Sequence, residues 1–439
     1  MRAAIELLPE NKYVFLRKLK QWADHNYDCF CFLGNNERLS QFGGYRGFQN
    51  IGGIGKISEI KVDLSSEKGF HNLKNYATSK NDILFGLLSY DLKNQTEKLS
   101  SENPDRIKMP LCHFFQPELT FEFSDNDKIE IGYHPDRKSE SEIINLFKSI
   151  ENLVVEEDKE QEAPKTLPKS CVSKSEYIDN VKKIKEHIQL GDVYELNYCI
   201  EFFEEDIEII PADVYQKLSK ISSAPFSCFY KVENKYLICA SPERFLKKDG
   251  TKIIAQPMKG TAKRSAQYEE DQLIKEELFT SEKERAENVM IVDLVRNDLS
   301  KTAKSKSVKV DELFGVYSFP QVHQMVSTIC SEIKDDVHII DVIKSAFPMG
   351  SMTGAPKVKS MELIEKFENT RRGLFSGAVG YITKEMDFDF NVVIRSIQYN
   401  ADEKYVSFMV GSAITINSDP EKEYEECLLK AQALIEALK

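Results

Sequence analysis

Two hydrophobic periods alternate along this chain. Tyr177, Val181, Ile184 and Ile188 recur at the spacing of one helical face. Ser173-x-x-Glu176 reads as a capping box ahead of them, and Gly191 as the stop behind. The period then drops to two. Tyr194, Leu196, Tyr198, Ile200 and Phe202 share one strand face, while Glu195, Asn197, Cys199 and Glu201 share the other. Further strands are predicted at 28–33, 82–87, 119–123, 227–232, 236–240 and 252–256. Neighbouring strands without intervening helices suggest antiparallel pairing. The expected fold class is therefore α+β, with two antiparallel sheets face to face and helices outside, rather than doubly wound α/β. No repeat of fixed period occurs.

The pattern fades at 155–170, VEEDKEQEAPKTLPKS, which is charged, holds two prolines and reads as a linker or surface loop. It divides an N-terminal α+β region, 1–154, expected to share the same core, from a catalytic domain, 171–439. Glycines at 43, 44, 47, 52 and 53 allow a phosphate cradle, but no Walker lysine or Rossmann spacing follows, so turns are the expectation.

Composition narrows the function class. The net charge of −12, with no concentrated basic run, speaks against nucleic acid. No apolar run is long enough to span a bilayer, and the N-terminus lacks a signal-peptide core. The nine cysteines lack zinc-site spacing and are expected to be reduced thiols in the cytoplasm.

Two helices carry paired glutamates. Ser281-x-x-Glu284 is a second capping-box candidate, and Glu284 and Glu287 share the face it opens. Near the C-terminus Asp419 reads as an N-cap before Pro420, and Glu423 and Glu426 share a face with Lys430 one turn beyond Glu426. Such pairs are usually solvated; converging from two helices, they suit a hard divalent cation.

From about residue 170 onward the chain resembles the chorismate-utilising family, which includes the large subunits of anthranilate synthase and aminodeoxychorismate synthase, isochorismate synthases and salicylate synthases. The resemblance rests on ordered blocks: GDVYELN (191–197), SPERFL (241–246), QPMKGTAKR (256–264), ERAENVMIVDLVRNDL (284–299), VHQMVST (322–328), FPMGSMTGAPK (347–357), GAVGY (377–381), VIRS (393–396) and DPEKEYEECLLKA (419–431). It implies the two-sheet fold and Mg²⁺ held mainly by Glu287 and Glu426, with help from Glu284 and Glu423. It implies a carboxylate clamp of Arg395 and Tyr381, and backbone N–H groups at Gly411, Ser412 and Ala413. Thr261, His323, Ser351, Thr353 and Lys430 are implied around the substrate. Read alone, Arg395 could equally be a structural ion pair, and His323 a structural histidine.

Lys259 bears on the subfamily. Anthranilate and isochorismate synthases usually carry Ala there, whereas aminodeoxychorismate synthases carry a nucleophilic Lys. The implied chemistry adds the amine at C2 of chorismate, expels the C4 hydroxyl, then admits ammonia at C4. A nucleophilic lysine must be neutral, so its pKa is expected to be lowered. Glu243 is the implied general acid, with a raised pKa; alternatively it pairs with Arg244 or caps a turn. Asn288 and Ser351 also resemble the aminodeoxychorismate type. Glu195 replaces both the glutamine of aminating relatives and the water-activating lysine of isochorismate synthases. Ala413 replaces a family glycine. APFS (224–227) resembles part of a tryptophan effector pocket, but its N-terminal counterpart is not evident. The implied activity is C4 amination of chorismate for folate synthesis, with ammonia from a separate glutamine amidotransferase subunit (component II). Anthranilate synthase component I is the alternative, and a catalytically weak chorismate-binding paralogue another.

Overall fold

The computed structural model describes residues 2–35, 44–64, 66, 68–124, 127–154, 168–319 and 322–439. Their strands form two antiparallel sheets, one of twelve strands and one of ten. In the larger, Cys29–Gly34 pairs with Phe226–Val232, followed by Lys235–Ser241, Ser396–Asn400, Tyr405–Ile414 and Glu195–Glu204. In the smaller, Met258–Lys263 pairs with Val322–Glu332, followed by Lys252–Gln256, Arg244–Asp249, Phe388–Asn391, Ala378–Ile382 and Leu84–Leu88.

The strand Cys29–Gly34 shows why the sheets stack. Cys29, Cys31 and Leu33 enter a core shared with Phe85, Leu87 and Phe115 of the other sheet. Phe30 and Phe32 point the opposite way, into a core with Phe15 and Leu19 of the helix Lys12–Asn26. Such a strand has no face left for water, so it is apolar throughout. Hydrogen bonds cross between the sheets: His113 Nδ1 and the Tyr230 hydroxyl lie 2.6 Å apart, and the Asn391 amide donates to the Phe226 carbonyl at 3.0 Å. The helices Lys174–Gln189, Pro211–Ile221 and Pro420–Leu438 cover the outer face of the larger sheet. The helices Gly69–Ser79, Glu282–Ser300 and Ile339–Ala346 cover that of the smaller. No helix among the described residues is long and apolar enough to cross a membrane.

The expected strands at 119–123 and 252–256 form at those bounds, and the others within two residues. The N-terminal region supplies strands to both sheets. Of the expected linker, 155–167 lie outside the described residues, and Lys169–Ser170 pairs with Phe202 and Phe203 instead of staying a loop. The glycine-rich segment is no cradle where it is described. Gly52 and Gly53 sit in the strand Ile51–Ile54, where added methyl groups would meet the rings of Phe32 and Phe85 at 2.6 and 2.5 Å; Gly43 lies outside the described residues.

The strand Glu195–Glu204 departs from its expected pattern. Tyr194 lies outside it, 68% exposed, while the polar face is buried: Glu195 is 1% and Glu201 6% exposed. That face turns into the protein and begins the site.

Candidate active site

Lys259 lies where the ladder between Met258–Lys263 and Val322–Glu332 slips register, between Met258 and Thr261. Such a bulge re-aims a side chain. Gly260 supplies the required backbone, at φ +95°, and a Cβ there would stand 3.0 Å from Glu284 Oε2. Asn288 fixes the bulge from behind: its side-chain amide donates to the Lys259 carbonyl at 3.4 Å and accepts from Ser327 Oγ at 2.6 Å. The Lys259 ammonium meets Glu195 Oε1 at 2.5 Å, with both side chains buried. Burial acts to lower the Lys259 pKa, but Glu195, Glu287 and Glu426 outweigh it, and the net shift is upward. This corrects the expected lowering: the carboxylates around this lysine hold it charged.

Glu284 and Glu423 sit in the first turns of Glu282–Ser300 and Pro420–Leu438, with Glu287 and Glu426 one turn further along. Ser281 caps the first helix by accepting from the Glu284 N–H at 3.3 Å, and Asp419 caps the second through the N–H groups of Glu421 and Lys422. Burial raises the Glu287 pKa to about 7. Glu284 and Glu423 are also raised, by burial and by the charge of Glu426. Burial acts to raise Glu426 as well, but Lys430 outweighs it with Lys259 and Lys283, and its pKa is lowered. Lys430 bonds Glu426 Oε1 at 2.6 Å and the Gly411 carbonyl at 2.9 Å. Lys283 lies 4.0 Å from Glu284 and 3.9 Å from Glu287.

This donor set fits a hard cation in one respect. Glu287 Oε1 is buried without a hydrogen-bond partner, on a helix face that feels the charge of the second pair. No three His, Cys, Asp or Glu side chains converge on one point among the described residues. Magnesium, which takes few carboxylates and keeps several waters, is the cation whose chemistry such donors would fit.

Glu243 stands at the corner where the chain passes from Lys235–Ser241 in one sheet to Arg244–Asp249 in the other. Ser351 Oγ donates to its Oε1 at 2.7 Å. Burial raises its pKa to about 7, against the pull of Ser351, the Met258 N–H and the charge of Lys259. The cause is visible in the apolar lining beside it, from Phe245, Leu246, Val295 and Leu299. Arg244 is not its partner; that guanidinium grips both oxygens of Asp389, at 2.9 and 3.0 Å.

Arg395 adopts φ +49°. Backbone bonds tie its segment to the Glu243 corner: Ala240 N–H donates to the Arg395 carbonyl and Val392 N–H to that of Glu243, each at 3.0 Å. Burial alone acts on its pKa, lowering it. Arg395 is half-buried, and no carboxylate among the described residues is paired with it, so its guanidinium is available to an anion.

Other expected residues fall differently. Tyr381 does not join Arg395: it packs beside Phe85, ring centroids 6.4 Å apart, and its phenol feels Asp389 and Arg244. His323 is wholly buried and faces Ser318 Oγ at 2.9 Å and Asp271 Oδ1 at 3.0 Å, so both ring nitrogens are engaged within the protein. Thr353 Oγ1 closes its own turn onto the Met349 carbonyl at 3.0 Å. Thr261 is exposed and donates to Gln324 at 3.1 Å. Gly411, Ser412 and Ala413 form an extended strand rather than a turn, paired with Cys199, Tyr198 and Asn197. The ladder on the strand's other side ends at Phe408, leaving that edge without a paired strand beyond it. Ala413 has no positive φ, so an alanine is accommodated there without strain. Ser412 shares a hydrogen bond with Tyr177 at 2.9 Å.

Further buried ion pairs escaped the sequence reading. Arg372 pairs with Glu368 at 2.6 Å and donates to the carbonyls of Asn197 and Met352 at 2.8 and 2.6 Å. Lys357 pairs with Asp298 at 2.5 Å, locking the GAPK block to the RNDL block. Lys357 and Asp298 lie inside matched blocks, which was the available signal; Glu368 and Arg372 lie between blocks and offered none.

The comparisons agree with this architecture. The chain is 42% identical over 264 residues to the chloroplastic aminodeoxychorismate synthase of Arabidopsis thaliana, covering 60% of this chain and 28% of that one. It is 37% identical over 258 residues to aminodeoxychorismate synthase component 1 of Bacillus subtilis, covering 59% and 54%. It thus spans about half or less of these relatives' length. Anthranilate synthase component I from Streptococcus pneumoniae TIGR4 shares the fold, with a TM-score of 0.78 at 23% identity over 89% of this chain and 92% of that one. Residues 34–436 match the family described as chorismate binding enzyme. With that match across most of its length, and with both sheets and the ordered blocks in place, the chain belongs to the chorismate binding enzyme family.

Proposed function

We propose that this chain replaces the C4 hydroxyl of chorismate with an amino group, as an aminodeoxychorismate synthase component I feeding folate synthesis. The observation that carries it is a buried amine, Lys259, beside a carboxyl group, Glu243, whose pKa of about 7 lets it serve as an acid near neutrality. Lys259 adds at C2, the ring double bonds shift, and the C4 hydroxyl leaves as water with the Glu243 proton. Ammonia then adds at C4 and expels the lysine. Arg395 supplies positive charge for a carboxylate of the substrate. Glu284, Glu287, Glu423 and Glu426 would hold Mg²⁺, which supplies the positive charge needed to seat a substrate carboxylate among acidic side chains. Ammonia would come from a separate glutamine amidotransferase subunit, as the "component 1" name of a relative suggests. A cytoplasmic location is part of the same proposal, supported by nine cysteines standing free.

Product analysis with chorismate, ammonia and Mg²⁺ tests the proposal. The wild type is expected to yield the C4-aminated product, and Lys259→Ala to lose it. A Lys259→Ala enzyme that works at the wild-type rate would refute the lysine route. Fluorescent anthranilate as the product would establish the anthranilate synthase alternative.

A further inference from the structure

We infer that Glu195 is the positioning residue of Lys259: it aims the amine and takes up its proton before attack, an assignment that rests on the lysine route proposed above. The two side chains meet at 2.5 Å from different sheets, Glu195 on the strand Glu195–Glu204 and Lys259 at its bulge. Glu195 is 1% exposed, and its second oxygen, Oε2, is buried without a hydrogen-bond partner. The carboxylate is therefore held by the lysine on one oxygen and leaves lone pairs unused on the other. Its backbone is fixed independently: Glu195 pairs with Ala355, and Ser360 Oγ donates to the Glu195 carbonyl at 3.4 Å. A rigid backbone with one engaged oxygen is a geometry for aiming a partner.

The acceptor role follows from the charge around the amine. Glu195, Glu284, Glu287, Glu426 and Glu243 all face Lys259, from the strand, two helices and the corner between the sheets. Glu195 stays against the amine whether or not a cation covers the helix glutamates, so the lysine rests as an ammonium, which has no lone pair with which to attack. Transfer within the pair removes the obstacle without exchanging a proton with solvent. The ammonium and carboxylate become an amine and a carboxylic acid, and the pair is neutral before and after. The amine forms its bond to C2, the C4–O bond breaks, and water leaves with the Glu243 proton. When ammonia bonds to C4, the C2–N bond returns its electrons to the lysine. The new C4 ammonium gives its surplus proton to Glu243, and Glu195 returns its own to the amine. Chorismate and ammonia become aminodeoxychorismate and water, with every side chain restored.

The test compares the pH dependence of kcat for wild type, Glu195→Gln, Glu195→Asp and Lys259→Ala, using the full chain, chorismate, Mg²⁺ and a fixed concentration of free ammonia. In Glu195→Gln the lysine must release its proton to solvent. The ratio of wild-type to variant rates is therefore expected to climb on the acid side, approaching about tenfold per pH unit. Titrations common to both enzymes cancel in that ratio. Glu195→Asp keeps a carboxylate and is expected to restore the wild-type profile at a lower rate, which a purely structural role for Glu195 would not produce. A ratio that stays constant with pH overturns the role of Glu195 and leaves the lysine route standing. Wild-type turnover by Lys259→Ala instead removes the lysine route itself.

Discussion

On the proposed route, Glu243 sets the pH limit of the reaction. Burial is the leading cause of its pKa of about 7, so the acid form is present below that value and lost above it. Turnover needing that proton falls as pH rises through about 7, an alkaline limb visible in a kcat profile. Ser351 donates to Glu243 and so favours its ionised form. Ser351→Ala is expected to raise the pKa and shift the limb to higher pH, while Glu243→Gln removes the limb with a rate loss of about 10²- to 10⁴-fold. A limb unmoved in Ser351→Ala would count against Glu243 as the acid. Arg395 shows the complementary case. Its planar fork suits a carboxylate, so Arg395→Lys is expected to raise the KM for chorismate well above the wild-type value, although charge is kept.

At the level of elements, two helix starts each bring a pair of glutamates to the proposed metal site. Each puts two glutamates in or near its first turn, where the helix dipole favours negative charge. The caps set where those turns begin. Only half of the Ser281 capping box forms, which leaves the Glu284 carboxylate for the site. Asp419→Ala removes acceptors from two N–H groups and is expected to cost about 1 kcal/mol in urea unfolding. It is also expected to raise the Mg²⁺ concentration that gives half-maximal turnover. Chelation should abolish turnover reversibly with little loss of secondary structure, because apolar clusters rather than the glutamates form the cores. Circular dichroism with and without chelator checks that separation.

For the whole molecule, the Arg372–Glu368 pair is the joint. Arg372 holds carbonyls of the Glu195–Glu204 strand and of the FPMGSMTG loop, and Glu368 accepts the Cys199 N–H at 3.0 Å. Both side chains are at most 2% exposed. Arg372→Leu leaves a buried carboxylate without its partner and is expected to destabilise the fold by about 3–5 kcal/mol, read as a lower urea midpoint. Because the same pair holds Asn197 beside Ser351, activity should fall below what the unfolded fraction explains.

What the chain determined by itself lies in local order: strand boundaries such as Leu119–Phe123, the caps at Ser173, Ser281 and Asp419, the Glu–x–x–Glu faces, and the blocks that mark the family. These depend on neighbours within a few residues, so periodicity and capping chemistry expose them. The tertiary structure alone decided the rest. It buried the polar face of Glu195–Glu204, engaged both nitrogens of His323, set Tyr381 apart from Arg395 and kept Ala413 extended. Above all it reversed the expected shift of Lys259, because a proton's affinity there depends on carboxylates brought in from distant strands and helices. The lysine's place in its block was legible one residue at a time; the charge around it exists only where the two sheets and two helices meet.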